Sequence, residues 1–334
     1  MTELNYKKKD FTSDQDVKWC PGCGDYSVLA SLQMALTKTG TKKEDVVCVS
    51  GIGCSSRFPY YMDTYGYHTI HGRAPAVASG IKVANPSLSV WQITGDGDCL
   101  SIGGNHFIHV LRRNVDINIL LFNNQIYGLT KGQFSPTSEQ GKVTKSSPYG
   151  SLDRTFNPGK LAFGSGSTYI CKTLDTDPKH MNLMMQEANK HRGTSFVEVF
   201  QNCVIFNDGC HTDYTDRKLR VDNAVYLEQG QPMLFGQDDS KGIILKDLQL
   251  EIVEVSEENK GDILVHDRFN KTLSYLLLAS HEIAGFPKFY GVIYQEEAQT
   301  YDSQVSEQIE AVRSKKGNGD FNKLLFSGET WEVK

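Results

Sequence analysis

Two short polar stretches separated by one helical pattern carry the most specific chemistry in this 334-residue chain. Gly95-Asp96-Gly97-Asp98 follows an apolar run, Leu88 to Thr94, and Asn123-Asn124 follows a second, Ile117 to Phe122. Asp96 and Asn124 offer hard oxygen atoms suited to Mg²⁺, an ion that takes few protein ligands and completes its octahedron with phosphate and water. The backbone carbonyl of Ile126, just downstream, is placed to add a third protein oxygen. Gly95 and Gly97 let the backbone turn tightly and approach a ligand, and a helix starting there directs unpaired N–H groups toward phosphate oxygens. A diphosphate held through a divalent metal is the ligand such a set would take.

Cysteine carries the second signal. Trp19-Cys20-Pro21-Gly22-Cys23-Gly24-Asp25 places two thiolates at C-x-x-C spacing, enough to anchor one metal centre. Zinc, an iron–sulfur cluster and a thioredoxin-like redox pair all fit that spacing. The redox pair expects a strand before the motif, which KKKDFTSDQDVKW does not offer. Cys54 lies just beyond a β-branched run, Val46 to Ser50, where a loop can turn it toward the same centre. Cys203 follows another buried run, Ser195 to Phe200, so it shares an edge with Cys54 and is expected as fourth ligand ahead of Cys210. Cys48 reads as a small buried hydrophobe, and Cys99 and Cys171 as structural residues.

The elements that position these groups follow from periodicity. Leu88 to Phe122 reads as a β-α-β unit, its helix running to Arg113. YSVLASLQMALTKTG reads as a helix capped by Asp25 and ended by Gly40. A small-residue helix begins near His71 and Arg73, and Asp177-Pro178 opens another that reaches Gly193. Thr130 to about Lys160 is a long loop, which inside a compact domain is usually a lid or a subunit contact. The expected fold is α/β, a parallel sheet flanked by helices, with the chemistry on the C-terminal edge of its strands. Residues 1–210 form that domain. Residues 211–334, where only Leu248 to Val255 and Phe269 to Ser280 show strand and helix patterns, form a C-terminal arm packed on the core and on a partner.

Composition excludes other classes. Hydrophobic content of 39% and charged content of 22% fit a globular chain able to bury a large core. A net charge of −5 without a basic stripe argues against nucleic acid. No apolar run reaches membrane-spanning length and the first residues lack an apolar h-region, so a cytoplasmic protein is expected, with its eight cysteines serving as ligands or core residues rather than disulfides.

At this point a resemblance becomes visible. The GDG…NN pattern resembles the signature of thiamine-diphosphate enzymes, and NNQIYGLTKGQFSPTS is similar to the β subunit of 2-oxoacid:ferredoxin oxidoreductases. The His71-Gly72-Arg73-Ala74 phrase resembles the family's cofactor-side HGRA segment, and Cys203 to Asn207 resembles its PC-x-x-FN phrase, with Asn202 where the family has Pro. The resemblance implies the pyrophosphate-type thiamine-diphosphate fold and a reversible, coenzyme A-dependent oxidative decarboxylation of a 2-oxoacid, with electrons passed singly to ferredoxin. It implies thiamine diphosphate, Mg²⁺ and a [4Fe–4S] cluster as cofactors. Asp96, Asn124 and Ile126 would hold Mg²⁺, with Gly95, Gly97 and Asp98 beside the diphosphate and Thr130 a further contact. Cys20, Cys23, Cys54 and Cys203 would hold the cluster. His71 would sit by the cofactor, and Arg57 near the substrate, where a guanidinium could clamp the distal carboxylate of 2-oxoglutarate. The Glu that activates thiamine belongs, in this family, to the pyrimidine-binding domain of a separate α subunit, so the site should lie between subunits. The competing readings are the same chemistry on pyruvate or a broad range of 2-oxoacids, and a non-redox thiamine decarboxylase with a zinc site.

Overall fold

The computed structural model describes residues 4–333. Short apolar runs with polar ends pair into one eight-stranded sheet. Its strands are β1 (Val46–Ser50), β2 (Tyr65–His68), β3 (Ser89–Gly95), β4 (Asn118–Asn123), β5 (Tyr169–Leu174), β6 (Ser195–Phe200), β7 (Ala224–Tyr226) and, after a separate antiparallel sheet of β8 (Leu234–Phe235), β9 (Lys241–Lys246) and β10 (Gln249–Glu254), β11 (Lys288–Gln295). The order is β2-β1-β3-β4-β6-β5-β11-β7, parallel throughout except that β11 runs antiparallel to β5.

Strands buried on both faces need apolar side chains in both directions, and β4 shows how they divide. Ile119 and Leu121 join a core with Ala78 of α2 (Ala74–Ala84) and with Phe107, Val110 and Leu111 of the helix Gly104–Arg113. Leu120 and Phe122 join the opposite core with Val28 and Leu32 of the helix Asp25–Leu36, and with Met181 and Met185 of the helix Pro178–Lys190. The result is three layers, helices on both faces of the sheet. In chain order these helices are α1 (Asp25–Leu36), α2, α3 (Asp96–Leu100), α4 (Gly104–Arg113), α5 (Pro158–Gly164) and α6 (Pro178–Lys190).

Two local expectations change. The helix read as continuous to Arg113 is broken between α3 and α4, where Ser101 leaves helical geometry at ψ −103°. The break lets the backbone of Gly103 meet that of Gly72, whose φ of +70° and whose Cβ position, 2.5 Å from Gly103 N, both demand glycine. The loop carrying His71 is thereby pressed against α3. Asp25 does not cap α1 with its side chain; Gly24 occupies the cap position, and Asp25 is the first helical residue, fully buried. The chain beyond 211 adds β7 and β11 to the main sheet, and no helix among the described residues is long and apolar enough to cross a membrane.

Candidate functional site

β3, β4 and β6 run parallel, so their C-terminal ends deliver Gly95, Asn123 and Phe200 to one edge, with Asp96, Asn124 and Gln201 next in the chain. Asp96, 2% exposed, accepts hydrogen bonds at Oδ2 from Ser135 Oγ and Thr137 Oγ1, both at 2.5 Å. Burial pushes its carboxyl up to about 6 against the pull of those two hydroxyls. A buried carboxylate of this kind gains by meeting a cation. Asn124 donates through Nδ2 to Gln201 Oε1 at 2.8 Å, which leaves Oδ1, the acceptor for Ile126 N at 3.2 Å, as its ligand atom. Asp96, Asn124 and Ile126 line one cavity of about 80 Å³ together with Gly95, Gly97 and Thr130. A carboxylate, an amide oxygen and a backbone carbonyl are donors of the type Mg²⁺ takes, and the three residues that carry them border one space, so they fit the ion expected of them. The Thr130 hydroxyl itself donates to Gln133 Oε1 at 2.5 Å.

Gly97 is required for a reason different from the one expected. It has no positive φ; a Cβ there would lie 2.2 Å from Tyr127 Cε1, and Tyr127 Oη donates to the Gly97 carbonyl at 3.0 Å. Asp98, expected beside the diphosphate, commits its carboxylate to the protein. Its Oδ1 accepts from Ile52 N at 3.0 Å, Gly72 N at 2.8 Å and His71 Nδ1 at 2.6 Å, and its Oδ2 accepts from Thr94 Oγ1 at 2.7 Å. The hydrogen bond to Asp98 holds the His71 imidazole above its ordinary value, against partial desolvation. Asp98 thus ties the loops after β1 and β2 to the end of β3, and sets His71 at the wall of the cavity.

A second cavity, about 240 Å³, is lined by Cys20, Cys23, Cys54 and Cys203, with Arg57 and Gln201 beside them. It shares Cys54, Asn124, Gly128 and Leu129 with the first, so the two form neighbouring chambers of one site. A Cβ on Gly128 would lie 3.6 Å from both Cys54 Sγ and Cys203 Sγ, which shows how closely the two thiols approach this turn. Trp19 fastens the C-x-x-C knuckle to the Cys54 loop by donating from Nε1 to the Cys54 carbonyl at 2.7 Å. Burial raises the Cys23 thiol well above its ordinary value and the Cys54 thiol to about 12, with Asp25 and the other thiols adding to the effect. Such thiols ionise only with a cation among them. Among the described residues no three His, Cys, Asp or Glu side chains lie close enough to share a single ion. Cys210 faces a different cavity, its Sγ 3.7 Å from the Asn124 carbonyl.

Asn202 has a use that proline lacks. Its backbone N–H donates to Asp175 Oδ2 at 2.8 Å, and its side chain closes the loop behind Cys203 through Asp208 Oδ1 at 2.8 Å and Gly209 N at 2.9 Å. Arg57 donates from Nε to Tyr61 Oη at 2.9 Å and makes no ion pair among the described residues, so its charge is open to the cavity. Ser135, Thr137 and Gln201 were not singled out in the sequence. Only the position of Gln201 at the end of a buried run could have marked it, since the two hydroxyls come from the long loop.

Residues 45–199 match the family model described as thiamine pyrophosphate enzyme, C-terminal TPP binding domain. The chain is 44% identical to the 2-oxoglutarate oxidoreductase subunit KorB of Mycobacterium tuberculosis, over 99% of this chain and 90% of that protein. It is 46% identical to the 2-oxoglutarate synthase subunit KorB of Archaeoglobus fulgidus, over 55% of this chain and 69% of that one. A solved 2-oxoglutarate:ferredoxin oxidoreductase from Magnetococcus marinus, with 2-oxoglutarate, coenzyme A and succinyl-CoA bound, matches with a TM-score of 0.77 at 31% identity and covers 98% of each chain. With its thiamine-diphosphate domain and a relative matched almost end to end, the chain belongs to the β subunits of the 2-oxoacid:ferredoxin oxidoreductases, enzymes that act with an α partner.

Proposed function

We propose that this subunit, with its α partner, converts 2-oxoglutarate and coenzyme A to succinyl-CoA and CO₂, reversibly, and passes the electrons singly through a [4Fe–4S] cluster to ferredoxin. The observation that carries the reading is the pair of adjoining chambers, one lined by Asp96, Asn124 and Ile126 and the other by four cysteines. When bound, thiamine diphosphate supplies the carbon nucleophile for the 2-oxo carbon and the electron sink for decarboxylation, and the cluster supplies a one-electron acceptor. This chain's residues would hold and orient these groups. Asp96, Asn124 and the Ile126 carbonyl would bind Mg²⁺ and through it the diphosphate, while Ser135 and Thr137 keep the Asp96 carboxylate aimed. Asp98 fixes the His71 ring, whose raised affinity for a proton suits a donor facing substrate oxygen.

Cys20, Cys23, Cys54 and Cys203 would ligate the cluster. Four cysteine thiolates would bind Zn²⁺ as well as a cluster. Their place beside the thiamine edge, where the reaction needs a one-electron carrier, favours the iron–sulfur centre. Arg57, at the rim of the same chamber, is the cation for the distal carboxylate of 2-oxoglutarate. The activating Glu would come from the pyrimidine-binding domain of the α subunit, which leaves the isolated chain with negligible turnover. The name of the solved relative, which contains 2-oxoglutarate and succinyl-CoA, supports the choice of substrate.

The test is anaerobic purification of the α–β complex, followed by an assay of coenzyme A-dependent viologen reduction with 2-oxoglutarate and pyruvate in parallel. Brown protein with faster turnover of 2-oxoglutarate is expected. A colourless complex, or full turnover by the isolated chain, refutes the reading.

A further inference from the structure

Gln201 lines the cysteine chamber and holds Asn124, which borders both chambers. It follows the last residue of β6, is 1% exposed, and its backbone N–H donates to the Asn123 carbonyl at 3.0 Å, which fixes it beside the end of β4. Its side chain then reaches both ways. Oε1 accepts from Asn124 Nδ2 at 2.8 Å, and Nε2 donates toward Cys23 Sγ at 3.4 Å while lying 2.5 Å from the Asn202 carbonyl. Gly24 leaves room for this side chain and for Asp175, since a Cβ there would lie 2.0 Å from Asp175 Oδ2 and 2.8 Å from Gln201 Cγ. The Gly24 N–H donates to the Asn202 carbonyl at 3.2 Å, locking the C-x-x-C loop to the Gln201 loop.

Each contact has a chemical consequence. A carboxamide can present either its oxygen or its nitrogen to a cation, and only the oxygen binds. Because Gln201 Oε1 accepts only, it captures the nitrogen of Asn124 and leaves the oxygen for the metal, as groups behind a ligand commonly do. An N–H directed at a cysteine sulfur withdraws charge from it, which favours the more negative, reduced state of an attached cluster. We propose that Gln201 is a positioning residue that serves both centres at once: it orients Asn124 toward Mg²⁺ and, through Cys23, raises the reduction potential of the adjoining cluster. The proposal rests on the functional reading above, and it adds a direct side-chain bridge between the two cofactors.

Two variants in the purified α–β complex separate the roles. Gln201→Met keeps the volume and removes all three side-chain hydrogen bonds, to Asn124, Cys23 and the Asn202 carbonyl. Gln201→Glu keeps an acceptor for Asn124 and loses the donor toward Cys23. The midpoint potential is read by EPR-monitored redox titration, and Mg²⁺ affinity by calorimetry in the presence of thiamine diphosphate. Both variants should titrate at lower potential than wild type, with Glu the lower because it adds negative charge. Mg²⁺ affinity should fall roughly tenfold or more in Gln201→Met and stay within about threefold of wild type in Gln201→Glu. Wild-type potential in both variants, or undiminished Mg²⁺ affinity in Gln201→Met, overturns the proposal. A wild-type complex without a cluster signal overturns it together with the redox reading, and that failure is recognised before any variant is compared.

Discussion

Replacing Asp98 by Asn tests whether this carboxylate organises the thiamine edge. Asp98 is 3% exposed and accepts four hydrogen bonds, from Ile52 N, Gly72 N, His71 Nδ1 and Thr94 Oγ1. In Asp98→Asn the carbonyl oxygen can still accept the first three, and the amide can donate to Thr94 Oγ1, so the count of bonds survives while the charge does not. Hydrogen bonds to a charged group contribute about 1.5–3 kcal/mol and neutral ones about 0.5–1.5, a loss of roughly 1 kcal/mol for each of the three. The share from His71 is discounted because its side chain is 40% exposed, which leaves roughly 2–3 kcal/mol. If these loops open locally, amide hydrogen exchange at Ile52 and Gly72 should speed up roughly 30- to 150-fold. Asp98→Ala should cost more, because each orphaned buried donor loses about 1–3 kcal/mol. The pH dependence has a definite sign. Asp98 raises the folded-state affinity of His71 for a proton, so stabilisation from this pair is complete below the ordinary value of 6.5 and is lost as pH rises through the raised folded value. The stability gap between wild type and Asp98→Asn should therefore narrow above neutral pH. Unchanged exchange at Ile52 and Gly72 in Asp98→Asn would refute the assignment of Asp98 as the tie between these loops.

Asp96 titrates at about 6, above the ordinary 3.8, so it destabilises the metal-free chain progressively between pH 4 and 6, and protons compete with the cation. Mg²⁺ affinity, measured calorimetrically with thiamine diphosphate present, should drop about tenfold per pH unit below 6, and Asp96→Asn should flatten that slope. Arg57→Ala should cost roughly 2–5 kcal/mol in kcat/KM for 2-oxoglutarate and far less for pyruvate; equal losses remove Arg57 from the substrate pocket. Ser substitution at Cys203 should abolish the EPR signal of the reduced cluster, whereas Cys210→Ser should retain it; the reverse pattern exchanges their roles.

Legibility in the sequence followed burial. β1 and β6 were bounded to the residue because both are buried on every side and end in polar turns. The four cysteines could be grouped because Cys54 and Cys203 each follow such a strand. β2 has no buried residue, and β11 is interrupted by Gly291 at φ +113° and by a bulge between Val292 and Tyr294, so neither shows a clean period. The helix Tyr301–Lys316 buries only Asp302, which leaves no apolar stripe to read. Ser135, Thr137 and Gln201 escaped notice for another reason. Their partners lie 39, 41 and 77 residues away, and hydrogen bonds of that span leave no spacing in the chain. The reason for Gly97 was equally hidden, since it resides in the ring of Tyr127.

The antiparallel insertion of β11 against β5 has a consequence for biosynthesis. β1, β3, β4 and β6, which carry the thiamine edge, leave the ribosome with β5 well before Lys288 does, and from then on β5 has an open edge and a row of unpaired amides. A nascent chain stalled between Phe200 and Lys288 would thus present a nearly finished catalytic edge beside an aggregation-prone one. For this subunit, the hazard of synthesis lies on the side of the sheet away from its chemistry.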